Sequence, residues 1–353
     1  MTNTAREADM VPKSVKVGPL KQENVDLPSG VSMEVLSQAP SSVAARRSKP
    51  LPPLVFIHGS FHAAWCWGEH WMPFLASKGY ETFAISLRGT SGTPPPELGD
   101  EKSRKRKVKV SEHVADVRSF TETVLPGRRP VYIAHSFGGM VLLKLMEALA
   151  NERSTDAPVN VEGQGGGEGA AEAKGTLVKE GMAGGVFLCS VPPSGNDAMT
   201  KRFMKERPVA VVKLVLGFVL KLAVFWPWLA KDLFFSQSLE QSALRRYMAN
   251  FRADSRHGLD LGDLRGNLPS EMANAEGKAN WIEGAPPRLV VGAERDRCQD
   301  EQGAVETATF LDTTHTMLPT VPHEVMLGPD WPLGVTRVLQ WLEATDFQLE
   351  LAS

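Results

Sequence analysis

The chain alternates between short apolar runs and longer stretches of helical periodicity. Val31, Met33 and Val35 alternate with Ser32 and Glu34, the period of a half-buried strand. With Val25 before it and Pro28-Ser29-Gly30 as a turn, residues 25–36 predict two short strands. Leu54-Val55-Phe56-Ile57 is different, a continuous apolar run ended by His58-Gly59, which predicts a strand buried on both faces of a parallel sheet. Glu69 to Lys78 has helical spacing, with Gly79 as its C-terminal cap. Strands follow at 82–87, 131–134, 185–189 and 288–291, and a helix at 138–150. Alternation of this kind predicts an α/β fold with a mostly parallel central sheet and helices on both faces.

Two stretches break the rhythm. Residues 151–181 are rich in Gly, Glu and Ala, and are expected to form a flexible insertion. Residues 196–284 carry no strand signal, but have helical apolar stretches with Phe203, Phe218, Phe225, Trp226, Trp228, Phe234 and Phe235. A helical cap over the sheet is expected there. The division is therefore a tail at 1–22, a first core part at 23–195, the cap at 196–284 and a second core part at 285–353.

Composition narrows the function classes. The 353 residues are 42% hydrophobic and 23% charged, enough to bury a sizeable core. A net charge of −2 argues against nucleic acid as the main partner. The basic run at Lys102, Arg104, Lys105, Arg106, Lys107 and Lys109 reads as a solvated loop. Cys66, Cys189 and Cys298 are odd in number and widely spaced, which excludes a fully paired disulfide scaffold and shows no zinc spacing. The apolar stretch 209–230 is interrupted by Lys213, Lys221 and Pro227, so no membrane span is read there. The first 30 residues lack the apolar segment of a secretory signal. A cytoplasmic location is the default expectation, with an organelle such as the plastid still open.

The candidate chemistry centres on Ala134-His135-Ser136-Phe137-Gly138-Gly139, between a buried strand and a helix. A nucleophilic serine needs a sharp turn in that position, with small residues two places either side. The backbone N–H after it, at Phe137, points at developing negative charge. His58-Gly59-Ser60-Phe61 ends the earlier strand, and Ser60 is the expected second oxyanion donor. A serine of this type needs a base and an orienting acid. Residues 288–296 read as strand then loop, which offers Asp296 as acid, with Glu294, Asp300 and Asp312 as competitors. Residues 310–315 read as a final short strand and a loop histidine, which offers His315 as base, with His323 as competitor.

Taken together these motifs resemble an α/β-hydrolase, and within it the plant-type carboxylesterase and hydroxynitrile lyase group. The match rests on His58-Gly-Ser-Phe-His62-Ala-Ala-Trp65-Cys-Trp67, the serine elbow, Ser86-Leu-Arg-Gly, Asp296 and His315-Thr-Met-Leu. The resemblance implies an α/β-hydrolase fold with a cap, and hydrolysis of small or medium apolar esters through Ser136, Asp296 and His315. It places Phe61, His62, Trp65 and His135 around the substrate. Lyases of the group typically carry a threonine where Gly59 stands and a lysine just after the histidine, where His315 is followed by Thr316. Both departures favour esterase over lyase. The strip from Val305 to His315 is shorter than the helix and loop that family members place before the histidine. No metal or organic cofactor is expected, and the expected partner is a small ester. Two alternatives are carried: a lipase or acyltransferase whose cap touches lipid around Lys213 and Lys221, and a non-catalytic receptor on the same fold.

Overall fold

The computed structural model describes residues 17–42, 50–90, 92–94, 107–151, 174, 178–254, 260–347 and 349. Most of the expected N-terminal tail, nearly all of the Gly-rich insertion and most of the basic run lie outside the described residues.

One eight-stranded sheet organises the chain. Its strands are β1 (Lys21–Asp26), β2 (Ser32–Gln38), β3 (Leu54–Ile57), β4 (Thr82–Ile85), β5 (Val131–His135), β6 (Gly184–Leu188), β7 (Arg288–Ala293) and β8 (His315–Leu318). They lie in the order β1-β2-β4-β3-β5-β6-β7-β8. The hairpin β1–β2 and the β2–β4 pair are antiparallel, and every pair from β4 to β8 is parallel. The continuous apolar run in β3 has a direct cause. Leu54 and Phe56 enter the core on one face, and Val55 and Ile57 enter the core on the other.

Helices cover both faces. On the first lie α1 (Trp65–Gly68) and α2 (Trp71–Ser77), whose Trp67, Trp71 and Phe74 share one cluster with Leu54 and Phe56. On the second, α3 (Val110–Val124) and α4 (Phe137–Asn151) pack Val117, Phe120, Met140 and Leu143 against Val55 and Ile57.

Between β6 and β7 the described residues form helices and no strand. These are α5 (Asp197–Glu206), α6 (Pro208–Leu214), a π-helical turn (Val215–Val219), a 3-10 turn (Leu222–Val224), α7 (Pro227–Phe234), α8 (Gln241–Asp254), α9 (Leu261–Arg265) and a second 3-10 turn (Pro269–Met272). Phe234, Leu244, Tyr247 and Phe251 join the first-face core. The chain closes with α10 (Glu301–Phe310) and α11 (Trp331–Ala344).

One local expectation is corrected. Residues 310–312 end α10 and turn, and the last strand begins at His315. Asp300 caps α10, its Oδ1 accepting from the Gly303 N–H at 3.0 Å, so the helix starts before the strip that had been read as strand. No helix among the described residues is long and apolar enough to cross a membrane.

Candidate active site

Ser136 occupies the turn between β5 and α4 with φ 53°, a left-handed conformation that costs a non-glycine residue about 1–3 kcal/mol. Three backbone bonds hold it. Its N–H donates to Leu188 O (2.9 Å), and its own carbonyl accepts from Gly139 N (3.0 Å) and Val191 N (3.1 Å). The turn fits only because its neighbours are small. A Cβ at Gly138 would lie 2.6 Å from the carbonyl oxygens of Ile57 and His58. A Cβ at Gly59 would lie 2.9 Å from the Ser136 Cβ. The loop after β3 therefore presses directly against the serine.

His58 pins that loop. Its Nε2 accepts from the Leu87 N–H at 2.9 Å, so the proton sits on Nδ1, which donates to Gly59 O at 2.8 Å. The bond accepted at Nε2 requires the neutral ring. Burial agrees, holding its pKa down at about 3.

The histidine that meets Ser136 is His323. Its Nε2 is 3.1 Å from Ser136 Oγ, and its Nδ1 is 2.7 Å from Asp296 Oδ2. Asp296 Oδ1 accepts from the N–H groups of Cys298 (2.6 Å) and Gln299 (2.9 Å), which fixes the carboxylate. The expected serine and acid thus meet in space, and the expected base does not join them. His315 is the first residue of β8, paired with Val290, and its Nε2 lies 3.7 Å from Glu301. The sheet's reactive edge is at the carboxyl ends of its parallel strands. His315 enters β8 at the opposite end, three residue steps or roughly 10 Å away. His323 follows the strand's exit. The competing acids have other tasks: Asp300 pairs with Arg202 at 2.7 Å, Asp312 with Lys278 at 3.0 Å, and Glu294 accepts from the Thr320 N–H at 3.3 Å.

The four residues expected around the substrate divide into two pairs. Phe61 stacks on Phe218 (5.2 Å between ring centroids) and meets Phe234 edge-on (6.2 Å), so it joins the loop after β3 to the helical region. Trp65 stacks on Tyr247 and donates its indole N–H to Asp254 at 2.8 Å. His62 and His135 are buried. His135 Nε2 lies 3.0 Å from His323 O.

Sequence reasoning missed Glu324. It is 1% exposed and lies 3.1 Å from His62 Nε2, while His62 Nδ1 is 2.7 Å from Ser60 O. A carboxylate and a carbonyl both accept, so this arrangement favours the doubly protonated, charged form of the His62 ring. Burial alone would lower the His62 pKa, but the Glu324 charge and both hydrogen bonds raise it above its ordinary value. Burial likewise pushes Glu324 up, and the surrounding histidines, His62 first, outweigh it and bring it to about 2. For His323, burial pulls down while Asp296 and then Glu324 raise, and the net shift is upward. The buried pair thus links the loop carrying Ser60 to the loop carrying His323. Adjacency of Glu324 to a histidine was the one available signal, and it has meaning only once His323 is the base.

The other buried histidines set an acid limit. Burial lowers His58 to about 3, and His113 and His135 to about 4. The folded state refuses protons that the unfolded state accepts below about 6.5, so stability falls as pH drops from there toward 4. A thermal melt at pH 5 is expected several degrees below that at pH 7. Equal midpoints would show that these rings are not held neutral.

Ser136, His323 and Asp296 form a continuous donor–acceptor relay, and Phe137 at the start of a 15-residue helix adds an N–H beside it. Such a set can activate a hydroxyl and stabilise an oxyanion. One ring or carboxylate atom from each of His135, His323 and Glu324 lies within 4.8 Å of the others, as does one side-chain atom from each of Cys189, Asp296 and His323. In the second set the His323–Asp296 hydrogen bond, at 2.7 Å, accounts for part of that closeness.

Comparison with known proteins agrees with the fold. The chain is 32% identical over 105 residues to methylesterase 10 of Arabidopsis thaliana, and 30% over 95 residues to methyl jasmonate esterase 1 of Vitis vinifera. These matches cover 29% and 26% of this chain, and only 34% and 33% of the relatives' lengths. Among solved structures it resembles a bromoperoxidase from Bacillus anthracis, with TM-score 0.60, 13% identity, and coverage of 92% of this chain and 100% of that one. It also resembles epoxide hydrolase I of potato (Solanum tuberosum), with TM-score 0.58, 16% identity, and coverage of 93% and 100%. The family model described as the alpha/beta hydrolase family matches residues 54–330, from the first buried parallel strand to the start of the last helix. With that match over most of its length, and the mostly parallel sheet to go with it, this chain belongs to the alpha/beta hydrolase family.

Proposed function

We propose that this hydrolase cleaves carboxylic esters of apolar acids, methyl esters among them, through a Ser136 acyl-enzyme. The observation that carries the reading is the bond from Ser136 Oγ to His323 Nε2, continued from Nδ1 to Asp296. His323 takes the serine proton as Oγ attacks the acyl carbon. Asp296 holds the ring with Nδ1 protonated and stabilises the imidazolium. The N–H groups of Ser60 and Phe137 receive the oxyanion, a donor of this kind being worth about 3–4 kcal/mol. The imidazolium then gives its proton to the departing alcohol. Water, deprotonated by His323, releases the acid and restores the serine.

The relatives named methylesterase and methyl jasmonate esterase support a methyl ester as the substrate class. Epoxide opening is disfavoured by the nucleophile itself. Attack by a serine hydroxyl on an epoxide carbon forms an ether, which water does not cleave under mild conditions, whereas a carboxylate would form a hydrolysable ester. Cyanohydrin cleavage is disfavoured too. The residue after the base is Glu324, and a carboxylate there would repel a departing cyanide where a lysine would hold it.

A fluorophosphonate probe tests the reading. Wild-type protein is expected to be labelled at Ser136, and the Ser136→Ala variant, folded by circular dichroism, to remain unlabelled. Turnover of a graded series of methyl esters should accompany labelling. A folded wild type that resists the probe, or a variant that labels equally, removes Ser136 as nucleophile.

A further inference from the structure

The cap carries an apolar surface that the catalytic reading does not use. Val209, Val212, Val219 and Leu220 are between 56% and 68% exposed, and Phe225 and Trp228 are 62% and 55% exposed. Trp226 and Trp228 stack with centroids 5.9 Å apart. Val212 also lines an open groove of about 370 Å³, together with Met204, Pro208, Val211, Val215 and Leu216. Soluble monomers rarely leave so many large apolar side chains together in water.

The charge around this surface indicates what covers it. Residues 197–235 hold seven basic side chains against three acidic ones, a net charge of +4 in a chain whose total is −2. Lys213 and Arg202 are in ion pairs with Asp232 and Asp300. Lys201 and Lys205 are exposed on α5, and Arg207, also exposed, lies over the Phe203 ring at 5.6 Å. A second protein would need a matching apolar face of its own. A bilayer offers hydrocarbon to the valines, an interfacial layer to the tryptophans and anionic headgroups to the rim.

The surface also connects to the site. Directly after α6 the backbone widens into the π-helical turn 215–219, which carries Phe218 onto Phe61 (5.2 Å) and Phe234 (5.4 Å). Phe234 in turn faces His323 at 6.4 Å. An apolar path therefore runs from the exposed cap face to the base.

We propose that the cap face formed by α6, the π-helical turn and the Trp226–Trp228 pair docks onto an anionic lipid surface. Capture by lipid does not depend on Ser136, so it can be measured apart from catalysis. The test is co-sedimentation of the full chain with vesicles of phosphatidylcholine alone or with 30% phosphatidylserine added (roughly the anionic content that gives an appreciable surface potential). The bound fraction is expected to be several-fold higher on the anionic vesicles and to fall at high salt. The Ser136→Ala variant should bind like wild type. A Val212→Asp/Val219→Asp variant should lose at least tenfold in binding while keeping its thermal midpoint and its fluorophosphonate labelling. Lys201→Glu/Lys205→Glu should lose only the advantage of the anionic vesicles. The proposal fails if wild type stays in the supernatant with both vesicles. It also fails if sedimentation velocity shows a dimer that Val212→Asp/Val219→Asp dissociates, because the face would then be covered by a second copy.

Discussion

Replacing His323 with alanine is expected to lower kcat for ester hydrolysis by about 10⁴- to 10⁶-fold, the scale on which a serine triad fails without its base. His315→Ala is expected to stay within about twofold of wild type. His323 Nε2 is placed to take the Ser136 proton, and Nδ1 is occupied by Asp296. Alanine removes the acceptor, so the hydroxyl must react at its own high pKa. His315 has neither contact: it sits at the entry of β8 beside Glu301. Single-turnover assays on both variants, each checked for labelling and for thermal midpoint, settle the matter. Loss of turnover in His315→Ala with His323→Ala active would reverse the assignment.

The particular elements show why that histidine was hard to read. β3 and β5 were plain in the sequence because both faces are buried, so four consecutive apolar residues have no other explanation. The elbow was plain because its geometry admits few residue types, as the space around Gly59 and Gly138 shows. The C-terminal quarter lacks such constraints. Residues Glu301–Phe310 form a helix of low amphipathicity, with Ala304, Thr307 and Ala308 facing the core where larger apolar residues would announce it. β8 is an edge strand of four residues with His315, Thr316 and Met317 only partly buried, so it carries little pattern. Read as strand, 310–312 shifts the loop after it forward by eight residues and puts His315 in the place of His323. The shortness of the strip before His315 was the physical trace of that shift. Once α10 and β8 both precede the histidine, the spacing is filled. Glu324 and its partner His62 could not be paired from sequence, since 262 positions separate them and only the fold brings them together.

Substituting that carboxylate is expected to give the largest stability loss near the site. Glu324→Gln leaves His62 buried without its counter-charge, and breaking one side of a buried pair typically costs about 3–5 kcal/mol. At neutral pH the thermal midpoint should fall by on the order of ten degrees. The pH dependence identifies the cause. The His62 pKa is raised in the fold, so its contribution is complete below its ordinary value of 6.5 and is lost as pH rises through the folded value. Glu324 is depressed to about 2 from 4.5, so its contribution is present above 4.5 and is lost as pH falls toward 2. The gap between wild type and Glu324→Gln should therefore be widest between about pH 4.5 and 6.5 and should narrow on the alkaline side. His62→Gln combined with Glu324→Gln should cost less than the two single changes added, because the double variant leaves no stranded charge. Catalysis supplies a second readout. Glu324 contributes to raising the His323 pKa, so the acid limb of kcat/KM, which in wild type should lie above the ordinary histidine value, should move to lower pH in Glu324→Gln. A residue that merely filled space would leave that limb in place. A midpoint difference constant from pH 5 to 9, together with an unmoved limb, would mean that the pair is not ionised and that Glu324 does not act on the base.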